Sequence, residues 1–275
     1  MIEAVRKLSR DFVRDNFSPE GYVRTRYLFW LGNYYLPHLI ASPFVKRTPK
    51  LRGSSAVHSP KLASQLEAVN VFVPTNMCRV ITRHGSDKGW GHHNYTAVYS
   101  VLFDQFRNLP IRIFEVGLGS HNPLIPANVG GTGRPGGSLR GWRELFPKAF
   151  VYGADIDREI IFEEHRIKTF YCDQLDSAVL QDLWSHPELK DGVDIIIDDG
   201  LHTYDGNLSL LESSYAFLRP GGIYIVEDVV PDALPQWDKQ LDQLHERFPN
   251  DEFALIEMTT RDKPDNNLFI IRKHA

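Results

Sequence analysis

The residues best equipped for chemistry stand immediately after short apolar runs. Val193–Ile197 leads into Asp198-Asp199-Gly200-Leu201-His202, and Ile223–Val226 leads into Glu227-Asp228. An imidazole titrates near neutral pH, so His202 is a candidate general base for a hydroxyl, which is a poor nucleophile while protonated. Clustered carboxylates repel one another, and a divalent cation relieves the repulsion. Asp199 and Asp228, with Glu115 or Glu227 as a further donor, offer the oxygens that Mg2+ prefers, and such an ion keeps positions open for substrate oxygens. Asp198 either caps the following turn or contacts a cofactor.

Three more apolar runs end in the same manner. Ile111–Val116 runs into Glu115-Val116-Gly117-Leu118-Gly119-Ser120, where glycines let backbone approach a ligand that a Cβ would meet. Phe150–Ala154 is followed by Asp155-Ile156-Asp157, whose carboxylates can accept hydrogen bonds from ribose hydroxyls; a solvated strand end is the plain alternative. Ile167–Cys172 leads into Asp173-Gln174, placed where an adenine edge could be read. One acidic strand end means little. Acids at all five mean more.

These runs must be positioned by a scaffold, and their alternation with helical periodicity predicts one. The fold class expected is α/β: a Rossmann-like, doubly wound, mostly parallel sheet with a C-terminal antiparallel strand and an N-terminal helical or irregular extension. Phe253–Met258 and Leu268–Arg272 read as a closing pair of strands. Helices are expected near Ile2–Asn16, near Asn94–Phe106, along Leu208, Leu211, Tyr215 and Leu218, and along Trp237, Leu241, Leu244 and Phe248. Arg219-Pro220-Gly221-Gly222 reads as a helix stop and turn. The Pro-, Ser- and Gly-rich stretch Thr48–Pro60 is a soft boundary, giving an extension (1–60), a lead-in (61–110) and a catalytic domain (111–275). Ligands of such sheets sit beyond the carboxyl ends of the strands, where the acids are.

Taken in order, EVGLGS, GGSLRGWRELFPKAFVYGADID, FYCDQLD, DIIIDDGLH and GGIYIVED resemble class I S-adenosylmethionine-dependent methyltransferases. Within that group they are similar to the sugar O-methyltransferases of macrolide biosynthesis, and RHGSDKGWGHHNYTAVYSVLF resembles the lead-in of the same family. The match runs from about Arg83 to Asp228; residues 1–75 carry no resemblance, and the insertion His121–Ser138 is longer than the family leads one to expect. The resemblance implies S-adenosylmethionine as cofactor, Mg2+ or a similar dication, and a sugar or glycosylated small molecule as acceptor. It implies that Gly117, Gly119 and Ser120 pass beside the methionine part of the cofactor and that Asp155, with Asp157, holds the ribose. It places Asp173 and Gln174 at the adenine, Asp198 near the cofactor, His202 as base with Asp199 as its catalytic companion, and Asp199, Asp228 and Glu115 as metal ligands, Glu115 alternatively binding the cofactor.

Other features bound the reading. Residues 1–61 hold eleven Lys/Arg against four Asp/Glu, so the rest carries −11 within a net charge of −4. An acidic body without a basic stripe argues against nucleic acid. Cys78 and Cys172 form neither a metal pattern nor a disulfide framework, and no signal peptide is apparent, which together favour a cytoplasmic setting. Tyr27–Val45 is uncharged but interrupted by Gly32, Pro37 and Pro43, which suits a buried or subunit-interface segment, or a peripheral contact with a membrane surface, better than a span. Tyr95, Tyr99, Trp142 and Phe146 are expected in the core, and His92 and His93 beside Asp87 and Lys88 either line an acceptor pocket or form a solvated pair. Two other functions compete: a nicotinamide oxidoreductase, which the missing third glycine disfavours, and a non-catalytic membrane-surface or scaffold protein, which the intact DDGLH and VED runs disfavour.

Overall fold

The structure, a computed structural model, describes residues 19–41, 45–89, 93–125, 127, 134–258 and 264–275. The helix expected at Ile2–Asn16 and His92 lie outside them, as does part of the insertion His121–Ser138. Its strands are β1 (Lys50–Arg52), β2 (Arg112–Val116), β3 (Phe150–Asp155), β4 (Glu163–Glu164), β5 (Ile167–Tyr171), β6 (Val193–Asp198), β7 (Leu218–Val226), β8 (Glu252–Glu257) and β9 (Asn267–Arg272). They form one sheet in the order β1-β8-β9-β7-β6-β2-β3-β5-β4. The run β7-β6-β2-β3-β5 is parallel, and β9 enters antiparallel between β7 and β8.

Alternate residues of each strand serve opposite faces, and both faces are apolar. Ile113, Ile195, Ile197, Ile223 and Ile225 point to one side; Phe114, Ile196, Tyr224 and Val226 point to the other. That is why these strands read as continuous apolar runs rather than as alternating ones. The first side is covered by α4 (Pro60–Ala68), α5 (Asn76–Arg83), α6 (Tyr95–Leu102) and α7 (Gly137–Leu145). The second is covered by α8 (Ser177–Ser185), α9 (Tyr204–Ser214) and α10 (Leu234–Arg247). Side-chain caps start three of them: Thr75 accepts from the Cys78 amide (3.1 Å), Asp176 from Ala178 (2.9 Å), and Thr203 from Gly206 (3.3 Å).

Two expectations are corrected at the element level. The helix α9 ends at Ser214, and Arg219-Pro220-Gly221-Gly222 lies within β7. The turn survives there as an irregularity: Val193 pairs with Leu218 and Ile195 with Ile223, so the extra residues loop out, with Gly221 at φ +75°. Within Thr48–Pro60, read as a soft boundary, Lys50–Arg52 forms the far edge of the sheet. β1 pairs with β8, and α3 (Ser55–His58) lies beside it. The Ser55 and Ser59 hydroxyls accept from the amides of Leu255 (3.0 Å) and Phe253 (2.7 Å), so two amides of β8 find their partners in side chains.

The segment before β1 is helical. Helix α1 (Pro19–Trp30) continues through a π-helical stretch, Leu31–Tyr35, into α2 (Leu36–Ala41). Val23 and Trp30 are buried, whereas Leu28, Phe29, Leu36, Leu39 and Ile40 are exposed. No helix among the described residues is long and apolar enough to cross a membrane.

Candidate active site

Strand order reverses between β2 and β6, and their carboxyl ends flank the site. The strand tips are tied together by backbone: the Gly117 amide donates to Ala154 O (2.9 Å), Asp199 to Val116 O (3.0 Å) and Glu227 to Asp198 O (2.8 Å). Gly117 sits at φ +90°, and a Cβ there would lie 1.8 Å from the Asp199 carbonyl oxygen. Only glycine allows the β2 and β6 tips to close this tightly.

Beyond those tips, Asp199, His202 and Asp228 converge, with one donor atom of each lying within 4.8 Å of the others. His202 Nε2 is 3.2 Å from Asp199 Oδ1 and 3.6 Å from Asp228 Oδ2. Both His202 (φ +58°) and Asp228 (φ +50°) occupy the left-handed region that side chains other than glycine avoid. Such strain costs on the order of 1–3 kcal/mol per residue and persists where surrounding contacts enforce it. Burial disfavours the imidazolium of His202, but Asp199, Asp228 and Asp198 outweigh it and push the pKa up to about 9. Burial would likewise raise Asp228, yet His93, His202 and Tyr95 bring it down to about 2. Two carboxylates and an imidazole this close suit a hard divalent cation, whose oxygen ligands carry the charge.

The supporting wall comes from Lys88, His93, Tyr95 and Tyr99. The Tyr95 hydroxyl donates to Asp228 Oδ1 (2.6 Å), and His93 Nδ1 lies 3.1 Å from the same oxygen. Tyr99 donates to Glu227 Oε1. Lys88, almost fully buried, donates to Asp199 Oδ2 and to Glu227 Oε2 (2.6 Å) and lies 3.6 Å from Glu115. Burial acts against its charge, but Asp199, Glu115 and Glu227 hold its pKa well above the ordinary lysine value. Sequence reasoning places Tyr95 and Tyr99 in the core, and they are buried there, but it misses what their hydroxyls do. The available signal is chemical: a buried tyrosine hydroxyl needs a partner, and the strand-end acids are the supply.

Glu115, expected as a third metal ligand, lies outside the open cluster. Its oxygens accept from the Ser138 hydroxyl and the Trp142 indole (2.5 Å), and it is fully buried. Gln174 and Asp198 bond to each other and to their neighbours. The Gln174 amide donates to Asp198 Oδ1 (2.8 Å) and accepts from the Leu201 amide (2.8 Å), while Asn207 donates to Asp198 Oδ2 (2.9 Å). Burial pushes Asp198 up to about 6. These contacts brace the Asp198–His202 turn from behind. Asp155 accepts from the Leu118 amide (2.7 Å) and the Asp157 amide (2.9 Å), which shapes the glycine turn, and Ser120 donates to Asp157. Asp173 accepts from the Leu175 amide (3.0 Å) and is the most open of this group. A groove lined by His121, Asn122, Pro123, Asp157 and Glu159 opens beside these residues, with a volume of about 430 Å3.

No protein-family model matches the chain. Among curated proteins it is 38% identical over 147 residues to 8-demethyl-8-alpha-L-rhamnosyl tetracenomycin-C 2'-O-methyltransferase of Streptomyces olivaceus, covering 54% of this chain and 36% of that protein. It is 34% identical over 141 residues to demethylmacrocin O-methyltransferase of Streptomyces fradiae, covering 51% and 33% respectively. About half of the chain is thus similar in sequence to these O-methyltransferases. It spans only about a third of the length of these relatives. Among solved structures, MycE methyltransferase from the mycinamycin biosynthetic pathway, in complex with Mg and SAH, superposes with a TM-score of 0.55 at 24% identity, over 78% of this chain and 60% of that one. The fold is therefore the Rossmann-like α/β fold expected from the alternation of strands and helices, and MycE shares it.

Proposed function

We propose that this protein is an S-adenosylmethionine-dependent, divalent-metal-assisted O-methyltransferase acting on a sugar hydroxyl of a glycosylated small molecule in natural product biosynthesis. The convergence of Asp199, His202 and Asp228 at the sheet's switch point carries the reading. MycE, whose fold this chain shares, was solved with Mg and SAH, and the curated relatives are named for O-methylation, one of them of a rhamnosyl tetracenomycin-C.

When bound, S-adenosylmethionine supplies a methyl already activated on sulfur, and a dication acidifies and orients an acceptor hydroxyl. Gly117 and Gly119 leave room for the cofactor beside the β2 tip. Asp155, Asp157 and Asp173 present carboxylates along its path, with Ser120 fixing Asp157. Asp199 and Asp228 hold the dication, and His202 takes the acceptor proton. Two of the three carboxylates that raise His202 are these ligands, so neutralising them returns the imidazole toward the neutral form a base needs at pH 7. Asp198 and Gln174 serve this machinery by bracing the Asp198–His202 turn, and Glu115 ties the β2 tip to Ser138 and Trp142 of α7.

The proposed setting is cytoplasmic, with small-molecule rather than nucleic-acid partners. The exposed face of residues 28–40 is read as a self-association surface, with a peripheral lipid contact as the other use of the same residues. Function is tested by methyl transfer from labelled S-adenosylmethionine to a rhamnosylated acceptor. Transfer abolished by EDTA and restored by Mg2+ is expected; EDTA-resistant transfer removes the ion from the mechanism.

A further inference from the structure

The buried side of the site holds an ammonium that the reaction above leaves without a role. Lys88 is 2% exposed, and three carboxylates face it: Asp199, Glu227 and Glu115. Two of the three are fully committed to that sealed compartment. Glu227 takes the Tyr99 hydroxyl on its remaining oxygen, and Glu115 takes Ser138 and Trp142. Asp199 is different, because it stands in the wall between the sealed compartment and the open cluster. Its Oδ2 accepts from Lys88, while its Oδ1 lies 3.2 Å from His202 Nε2 on the open side.

We propose that Lys88 is a positioning residue that sets the ion preference of the open cluster, by holding one oxygen of Asp199 so that the other alone is offered to a divalent cation. The proposal rests on the reading of Asp199 and Asp228 as metal ligands. Its physical basis is the difference between two hard cations. Mg2+ demands near-octahedral geometry from single oxygens and keeps several waters. Ca2+ is larger, takes six to eight oxygens, and readily accepts both oxygens of one carboxylate. A clamp on Oδ2 removes the two-oxygen mode from Asp199 and with it an advantage of Ca2+. Lysine suits this role because its ammonium is a compact point donor, and burial leaves it few alternatives to the three acids.

The experiment is calorimetric titration of the full chain with Mg2+ and with Ca2+, in the wild type, Lys88→Met and Tyr99→Phe. In Lys88→Met the ratio of Mg2+ to Ca2+ affinity is expected to fall by about tenfold or more, as Asp199 becomes free to turn both oxygens outward. Tyr99→Phe perturbs the same compartment through Glu227 and leaves Asp199 held, so its ratio stays at the wild-type value; a general loosening of the core would move both. A wild-type ratio in a folded Lys88→Met that still binds Mg2+ overturns the clamp alone. A wild type that binds no Mg2+ overturns the metal reading and the clamp with it. Should Lys88→Met fail to fold, crystals of the wild type soaked in Mg2+ decide. Lys88 Nζ on Oδ2 with one Asp199 oxygen on the ion supports the clamp, and a bidentate Asp199 or a displaced Lys88 overturns it.

Discussion

At the scale of single residues, the site divides into side chains that face the opening and side chains that hold them there. His202 belongs to the first kind, being partly exposed and held in a left-handed conformation between two acids. His202→Ala is expected to lower kcat by about 10²–10⁴-fold, the range typical for loss of a general base, while leaving S-adenosylhomocysteine affinity within about twofold of wild type. Equal kcat in the variant, measured at saturating cofactor, assigns the proton transfer elsewhere. Asp198 and Gln174 belong to the second kind. Their positions after strand ends were legible in the sequence, but their partners were not. A strand-end acid looks the same whether it meets ribose or the Asn207 side chain nine residues on. The same limit applies to Glu115, whose indole partner on α7 depends on how that helix packs.

At the scale of elements, the parallel core was readable because each strand is buried on both faces and ends abruptly in polar residues. Edge elements were not. β1 is three residues and β4 two, too short for any periodicity, and β1 exists because Ser55, Ser59 and Arg52 find partners on β8 and α10, about 200 residues away in the chain. The wall formed by Lys88, His93, Tyr95 and Tyr99 escaped for a related reason. Tyrosines at helical spacing announce a core face, and nothing local reveals that their hydroxyls reach acids some 130 residues later. The glycine turn after β2 yields a test of how tightly the strand tips close. Gly117 and Gly221 both have positive φ, but a Cβ at Gly117 meets the Asp199 carbonyl at 1.8 Å, whereas at Gly221 its nearest neighbour is 3.8 Å away. Gly221→Ala should therefore cost only the backbone strain, about 1–2 kcal/mol. Gly117→Ala should cost clearly more in denaturant unfolding and should weaken cofactor binding as well. Equal losses at the two sites contradict the close approach.

At the scale of the whole molecule, charge and apolar surface are both uneven. Residues 1–61 carry +7 against −11 for the rest, and the helical segment that follows residue 18 is apolar on two sides. Val23 and Trp30 pack inward; Leu28, Phe29, Leu36, Leu39 and Ile40 face outward and leave an area that water covers poorly. Sedimentation is expected to show a dimer or larger species that Phe29→Glu with Ile40→Glu dissociates. A wild-type monomer that floats with anionic liposomes gives this face to lipid instead.

Calorimetry with S-adenosylhomocysteine and Mg2+, on the wild type and on Asp199→Asn/Asp228→Asn, tests most directly whether the strand tips make a joint site for a sulfonium donor and a dication. Saturable heats for both ligands are expected from the wild type, and the double variant should lose the Mg2+ heat while keeping that of S-adenosylhomocysteine. No heat from S-adenosylhomocysteine with folded wild type, or a Mg2+ heat that survives in the double variant, contradicts it.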